Sequence, residues 1–139
     1  PQKIELQRDC TAAPAPGVYL EGCRLERASM PGADLTSAYL ANTLLREGNL
    51  SGVNLSNADL RYADLSGADL SYARLVSANL KGADLRRADL TNAVLDGADL
   101  SYADLGGARL GGSSFSATLL DSTIWADGKP CATSAACPR

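Results

Sequence analysis

Apolar residues recur in this chain with a period of five. Counting by fives from Leu20 to Leu110, every position is leucine except Met30. Two places earlier, alanine stands at 28, 33 and 38, and again at every fifth position from 58 to 108. The tract runs on through Phe115 and Leu120 to Trp125, with no insertion between 18 and 115. In an α-helix, five residues advance about 500°, which smears the leucines around the cylinder. In a straight strand side chains alternate, so an odd period sends successive leucines to opposite faces. A single apolar face results if the chain turns a corner every five residues. Ala58 and Leu60, two apart on one side, then both point inward.

The residues at the corners fit that geometry. Glycine or asparagine often stands two places after the leucine, as at Gly22, Gly67, Gly82, Asn42 and Asn57. Both types tolerate the positive φ that type II turns demand. Four corners close a square, so one coil takes about twenty residues and coils stack at strand spacing, about 4.8 Å. Residues 18–115 then give about five coils, a rod roughly 24 Å long. Its predicted core is the ladder Leu60, Leu65, Leu70, Leu75, Leu80, Leu85 and Leu90. Burying each leucine contributes about 1.5–3 kcal/mol before entropy.

The repeated A-[D/N]-L-x-x of "NADLRYADLSGADLSYARL" resembles the pentapeptide-repeat family. The resemblance implies an all-β fold, a right-handed quadrilateral β-helix with leucine central and alanine at the preceding inward position. Expected divisions are an N-terminal capping segment at 1–17, the β-helix at 18–125 and a C-terminal tail at 126–139. Thr43 and Gly48 depart from the pattern, and Ala117, Leu119, Ser122 and Ile124 suggest a one-residue slip near the C-terminus. A solenoid exposes apolar ends that need caps. Ile4 and Leu6 are the expected plug at one end, and Phe115, Ile124 and Trp125 at the other, unless Trp125 faces a partner.

Cys10 and Cys23 lie near the start of the repeats, and Cys131 and Cys137 lie just after them. Four free thiols are one reading. A zinc site would need four soft ligands converging at about 2.3 Å, which pairs at opposite ends of a rod cannot supply. Two local disulfides, Cys10–Cys23 and Cys131–Cys137, suit the geometry best and imply an oxidising compartment: periplasm, thylakoid lumen or outside the cell. The chain opens on Pro1 rather than Met, which fits a removed leader, with a cytoplasmic location as the alternative.

Composition narrows the function. The chain has no histidine, the commonest general base and metal ligand, and its net charge is −3. Direct nucleic-acid binding is not expected, nor is a membrane span, because no apolar run approaches about 20 residues. No catalytic, cofactor-binding or metal-binding residue is assigned. Asp64, Asp84 and Asp104 share one outward column and Asp69 and Asp89 another, but aspartate before leucine is simply the repeat consensus. An enzyme is therefore not expected.

Some family members resemble duplex DNA, bind DNA gyrase and protect it from quinolones. A 24 Å mimic would carry about 14 negative charges. Residues 18–125 hold 13 acidic and 9 basic residues, a net of −4, interspersed rather than in one stripe. The preferred expectation is a non-catalytic scaffold or interaction module of an exported protein with an unknown protein partner, as a monomer or end-to-end homodimer. Two surfaces stand out: one wall with Tyr19, Tyr39, Tyr62 and Tyr102, and another with Arg74, Val76, Val94 and Asp96.

Overall fold

The computed structural model describes residues 8–138. Ile4 and Leu6, the expected N-terminal plug, lie outside them. From Tyr19 to Asp104, each residue that precedes an inward leucine or Met30 forms a parallel bridge to the residue twenty further on, as in Asp64↔Asp84↔Asp104. Twenty residues thus make one circuit of four sides. Each side is so short that only one residue per side is bridged, so the ladders run from coil to coil along the rod.

The backbone bonds of one side show why the coil is stable. Leu60 and Tyr62 donate to the carbonyls of Asn79 and Lys81 in the next coil, at 2.7 and 2.9 Å. Asp64 donates to Thr43 in the previous coil at 2.9 Å, and Ala63 closes the corner on the Leu60 carbonyl at 3.1 Å. The fifth N–H, that of Arg61, donates to the Asp59 side chain at 3.2 Å. All five donors are satisfied, as a buried backbone requires.

Every fifth position from 17 to 122 has φ between 56° and 73°. Glycine meets that requirement at no steric cost, but Tyr62, Tyr72, Tyr102, Arg27, Arg87 and Glu47 adopt it as well. Each such residue costs about 1–2 kcal/mol in the left-handed region. The ladder bonds above and below each corner hold it there, so corner geometry is imposed by stacking wherever the local sequence does not favour it.

Inside, the leucines from Leu35 to Leu105 and the alanines beside them form one buried column set. The expected slip near the C-terminus does not occur. Thr118, Leu120, Thr123 and Trp125 face inward and are buried, whereas Leu119 is 50% exposed. Threonine replaces alanine here through a repeated device. The hydroxyls of Thr118 and Thr123 donate to the carbonyls of Leu95 and Leu100 at 2.8 Å. Thr43 does the same to Leu20 at 3.0 Å. Each of those carbonyls already accepts a turn N–H, and the hydroxyl takes its second lone pair. The period of five is therefore kept.

Beyond the last coil, β1 (Thr123–Ile124) pairs antiparallel with β2 (Pro130–Cys131), and a short 3-10 turn covers Ser134–Ala136. The Ser134 hydroxyl oxygen accepts the Leu120 N–H at 2.8 Å, and Asp121 accepts the Ser134 N–H at 2.7 Å. Trp125, only 6% exposed, packs against Phe115 with ring centroids 5.2 Å apart. Trp125 thus closes the end of the core rather than facing outward.

The aspartates before the leucines act on the backbone. Asp64, Asp69, Asp84, Asp89, Asp99 and Asp104 each accept the N–H two residues on, at 2.9–3.1 Å. Bonds from Arg61 and Arg86 hold the carboxyls of Asp59 and Asp84 below the ordinary value of 3.8. Thr36 and Thr91 hydroxyls do the same for Asp34 and Asp89. Depressed carboxyl pKa values stabilise the fold above the ordinary carboxylate range, and that contribution is lost as pH falls through the folded values. Melting temperature should be nearly flat from pH 7 to about 5 and fall steeply below about 4. A melting temperature that rises on acidification would contradict this.

Cys10 and Cys23, and likewise Cys131 and Cys137, stand at disulfide-forming distance, closing separations of 13 and 6 residues. Loops of this size contribute roughly 2–3 kcal/mol each in the loop-entropy model. Alkylation without reductant should leave the mass of the purified protein unchanged. Reduction should admit four labels and lower the melting temperature by roughly 10–25 °C. Four labels without reductant would show the cysteines to be free.

Candidate interaction surface

With leucine and alanine inside, the side chains open along the length of the rod lie on outward columns, and these fall into two kinds. In the first, charge is neutralised locally. Arg46 reaches Glu26 at 3.8 Å and Asp64 at 3.3 Å, Arg27 pairs with Glu47 at 3.2 Å, and Arg86 with Asp84 at 2.6 Å. Exposed pairs of this sort contribute about 0–1 kcal/mol each. Their consequence is electrostatic: the Asp64–Asp84–Asp104 column is interleaved with arginines and forms no negative stripe. A cleft of about 410 Å³ between Glu26, Arg27, Arg46 and Glu47 is walled by these pairs. Among the described residues, no cluster of His, Cys, Asp and Glu is arranged to hold a metal ion.

The second kind is aromatic. Tyr19 and Tyr39 are bridged neighbours whose rings meet edge to face, with centroids 5.8 Å apart. The Tyr19 hydroxyl donates to Glu21 at 3.3 Å, which fixes the inner ring and leaves Tyr39 42% exposed. At the adjoining corner stand Tyr62 and Tyr102, 57% and 64% exposed. The Tyr62 ring crosses Gly82 in the space a Cβ would fill, so glycine there seats the ring against the wall. The Lys81 ammonium lies 5.7 Å from the Tyr102 ring centroid, within cation–π range.

The four tyrosines thus share one wall and its corner, as their register implies. Leu119 continues the same column beyond Asp99, and sequence reasoning missed it by placing it in a slipped register. The uninterrupted count of fives, which assigns 119 outward, was the signal. Tyr72, 66% exposed, sits at the opposite corner, half a coil away.

The wall with Arg74, Val76 and Val94 is less distinctive. Arg74 and Val94 are bridged neighbours, and both valines are half-buried. Asp96 serves the backbone there. Its carboxylate accepts the Ser114 hydroxyl and, at 3.0 Å, the Ser116 N–H. Ser114 stands where an aspartate or asparagine would normally hold that N–H, and Asp96 substitutes for it.

Known proteins agree with this architecture. The profile described as pentapeptide repeats matches residues 17–52, 49–87 and 78–116, in eight copies. Among curated proteins, no sequence matches significantly. Among solved structures, the chain is similar to HetL, a pentapeptide repeat protein involved in heterocyst differentiation regulation from the cyanobacterium Nostoc sp. strain PCC 7120. The identity is 32% and the TM-score 0.64, over 84% of this chain and 61% of HetL. Rfr23 from the cyanobacterium Cyanothece 51142 is also 32% identical, with a TM-score of 0.67, over 77% of this chain and 90% of that one. A pentapeptide repeat protein of the Arabidopsis thaliana thylakoid lumen is 31% identical, with a TM-score of 0.56, over 74% of this chain and 65% of its own. QnrB1, a plasmid-mediated fluoroquinolone resistance protein, shares the fold at 20% identity, with a TM-score of 0.56, over 74% of this chain and 62% of that one. The inward leucines, the stacked twenty-residue coils and the profile match lead to one conclusion: the chain belongs to the pentapeptide-repeat family.

Proposed function

We propose that this protein is a non-catalytic interaction scaffold of an exported compartment, and that it engages its partner through the tyrosine wall. One observation carries the reading. The aspartates from Asp59 to Asp104 are spent on backbone N–H groups, whereas Tyr39, Tyr62 and Tyr102 are exposed on one side. Tyrosine is enriched at interfaces because it offers large area at low entropic cost.

The scaffold is a right-handed coil of about five turns, capped at its C-terminal end by residues 126–138. Export is supported by the two cysteine pairs, which suit an oxidising compartment. A thylakoid-lumen protein among the similar structures is consistent with it.

A gyrase-directed DNA mimic is the competing reading, and local ion pairing weighs against it. The Asp64–Asp84–Asp104 column lies beside Arg46 and Arg86, so the continuous negative surface that a duplex presents is missing from it. Similarity to QnrB1 is at the level of the fold.

Two measurements test the choice. Partners retained from a periplasmic extract by the wild-type protein should be lost by a Tyr39→Ser/Tyr62→Ser variant of unchanged melting temperature. Purified protein should leave gyrase supercoiling unaffected, with or without a quinolone. Equal partner retention by the variant, or robust inhibition of gyrase, would overturn the proposal.

A further inference from the structure

The two ends of the rod are finished differently. Within the stack, a residue such as Leu44 turns both its N–H and its C=O toward the preceding coil. There they meet the Cys23 carbonyl and the Leu25 N–H, at 2.9 and 2.7 Å. The first coil has no such neighbour. Among the described residues, no partner meets the backbone N–H or C=O of Arg24, Ser29 or Asp34. Leu25 and Met30 beside them are half-buried, whereas every leucine from Leu35 to Leu105 is at most 1% exposed.

The strap formed by residues 8–16 serves one side of this end. Its bonds to the coil fall between 18 and 23: Arg8 donates to the Glu21 carbonyl at 3.2 Å, Cys10 joins Cys23, and Ala15 accepts the Val18 N–H. The other three sides, centred on Arg24, Ser29 and Asp34, form an open sheet edge. Such an edge is a template for another chain. A straight peptide can follow only one of these sides, because φ near +60° turns the edge at Arg27 and Gly32. A matching occupant must turn with it every five residues, and the same end of a second copy does so.

Two such ends face to face meet with their strands antiparallel, and opposed residues can exchange both N–H and C=O bonds. A twofold axis can cross the square in four ways. Through the second and fourth sides, it sets Arg24 on Arg24 and Asp34 on Asp34, and lays the strap on the open third side. Either diagonal lays the strap on the second or fourth side. The axis through the first and third sides opposes strap with strap, Ser29 with Ser29, and Arg24 with the Asp34 of the second copy. Opposite charges across antiparallel strands attract.

We propose that the N-terminal end is a self-association surface, at which two copies pair around this last axis. Ser29 lies on the axis, and two Arg24–Asp34 pairs flank it. The axis is perpendicular to the first wall, so both tyrosine walls face the same way and offer a partner two linked surfaces. Three short sides make a small contact, and the pair is therefore reversible. The pairing is independent of what the tyrosine wall binds.

The test is sedimentation of the purified full chain, disulfides intact, from about 5 μM to about 1 mM. A monomer–dimer equilibrium with a dissociation constant of about 10–300 μM is expected. Arg24→Glu and Asp34→Lys should each weaken it about tenfold or more, since each sets two like-charged pairs across the axis. Arg24→Glu/Asp34→Lys together should return it to within about threefold of wild type. Ser29→Cys should give a covalent dimer with a thiol cross-linker spanning about 5 Å, while Asn49→Cys, one coil inward, gives none. A melting temperature for each variant establishes that it is folded. A monomer at the highest concentration overturns the proposal. So does a dimer that neither single substitution weakens, a folded double variant no tighter than the single ones, or cross-linking through Asn49→Cys and not Ser29→Cys.

Discussion

The left-handed backbone two places after each leucine is the constraint on which everything else rests. A chain with apolar residues every five positions keeps them on one side only by turning between them, and each turn here needs φ near +60°. Once the corners repeat, inward positions fall in line and coil stacks on coil. The N–H groups of Leu60 and Tyr62 then find carbonyls nineteen residues further along the path. Dependence also runs the other way, because stacking forces arginine, glutamate and tyrosine into a conformation they would not choose. Local and long-range structure therefore cannot be separated. A corner is held by its neighbouring coils, and those coils exist because the corners turn.

Much of this was legible because the signal is redundant. Leucine at each multiple of five and alanine two places earlier exclude helix and straight strand together, and glycine or asparagine marks many corners. The C-terminal coil was harder to read. Thr118 and Thr123 looked out of place inside an apolar core, and Leu119 and Ile124 offered an apolar alternative one residue away. Size alone favoured the slip; the free lone pairs on the Leu95 and Leu100 carbonyls decided otherwise. Thr43 already used that bond near the other end. Its hydroxyl partner lies 23 residues back, a relation that only a closed coil reveals.

The candidate surface was legible in register but not in detail. Stepping by twenty groups Tyr19 with Tyr39 and Tyr62 with Tyr102. It does not show the Tyr62 ring lying across Gly82 or Lys81 beside Tyr102. Those placements depend on which corner residue lacks a Cβ and on which way a ring leans. The same fold that strips meaning from the regular aspartates gives meaning to the irregular tyrosines. Side chains that serve the ladder repeat with it, and the exposed rings serve no bond of the ladder.

That division between ladder-serving carboxylates and a partner-facing tyrosine wall is the central claim, and one substitution set tests it directly. Replacing Asp64, Asp84 and Asp104 together by asparagine keeps the acceptor for Ser66, Arg86 and Gly106 N–H groups while removing the charge. Retention of the wall's partner should stay close to wild type, and the melting temperature should fall only slightly, through loss of the Asp64–Arg46 and Asp84–Arg86 pairs, with alanine at the same three sites lowering it further. If the asparagine variant keeps its melting temperature but loses the partner, the carboxylate column is itself the functional surface and the division is wrong.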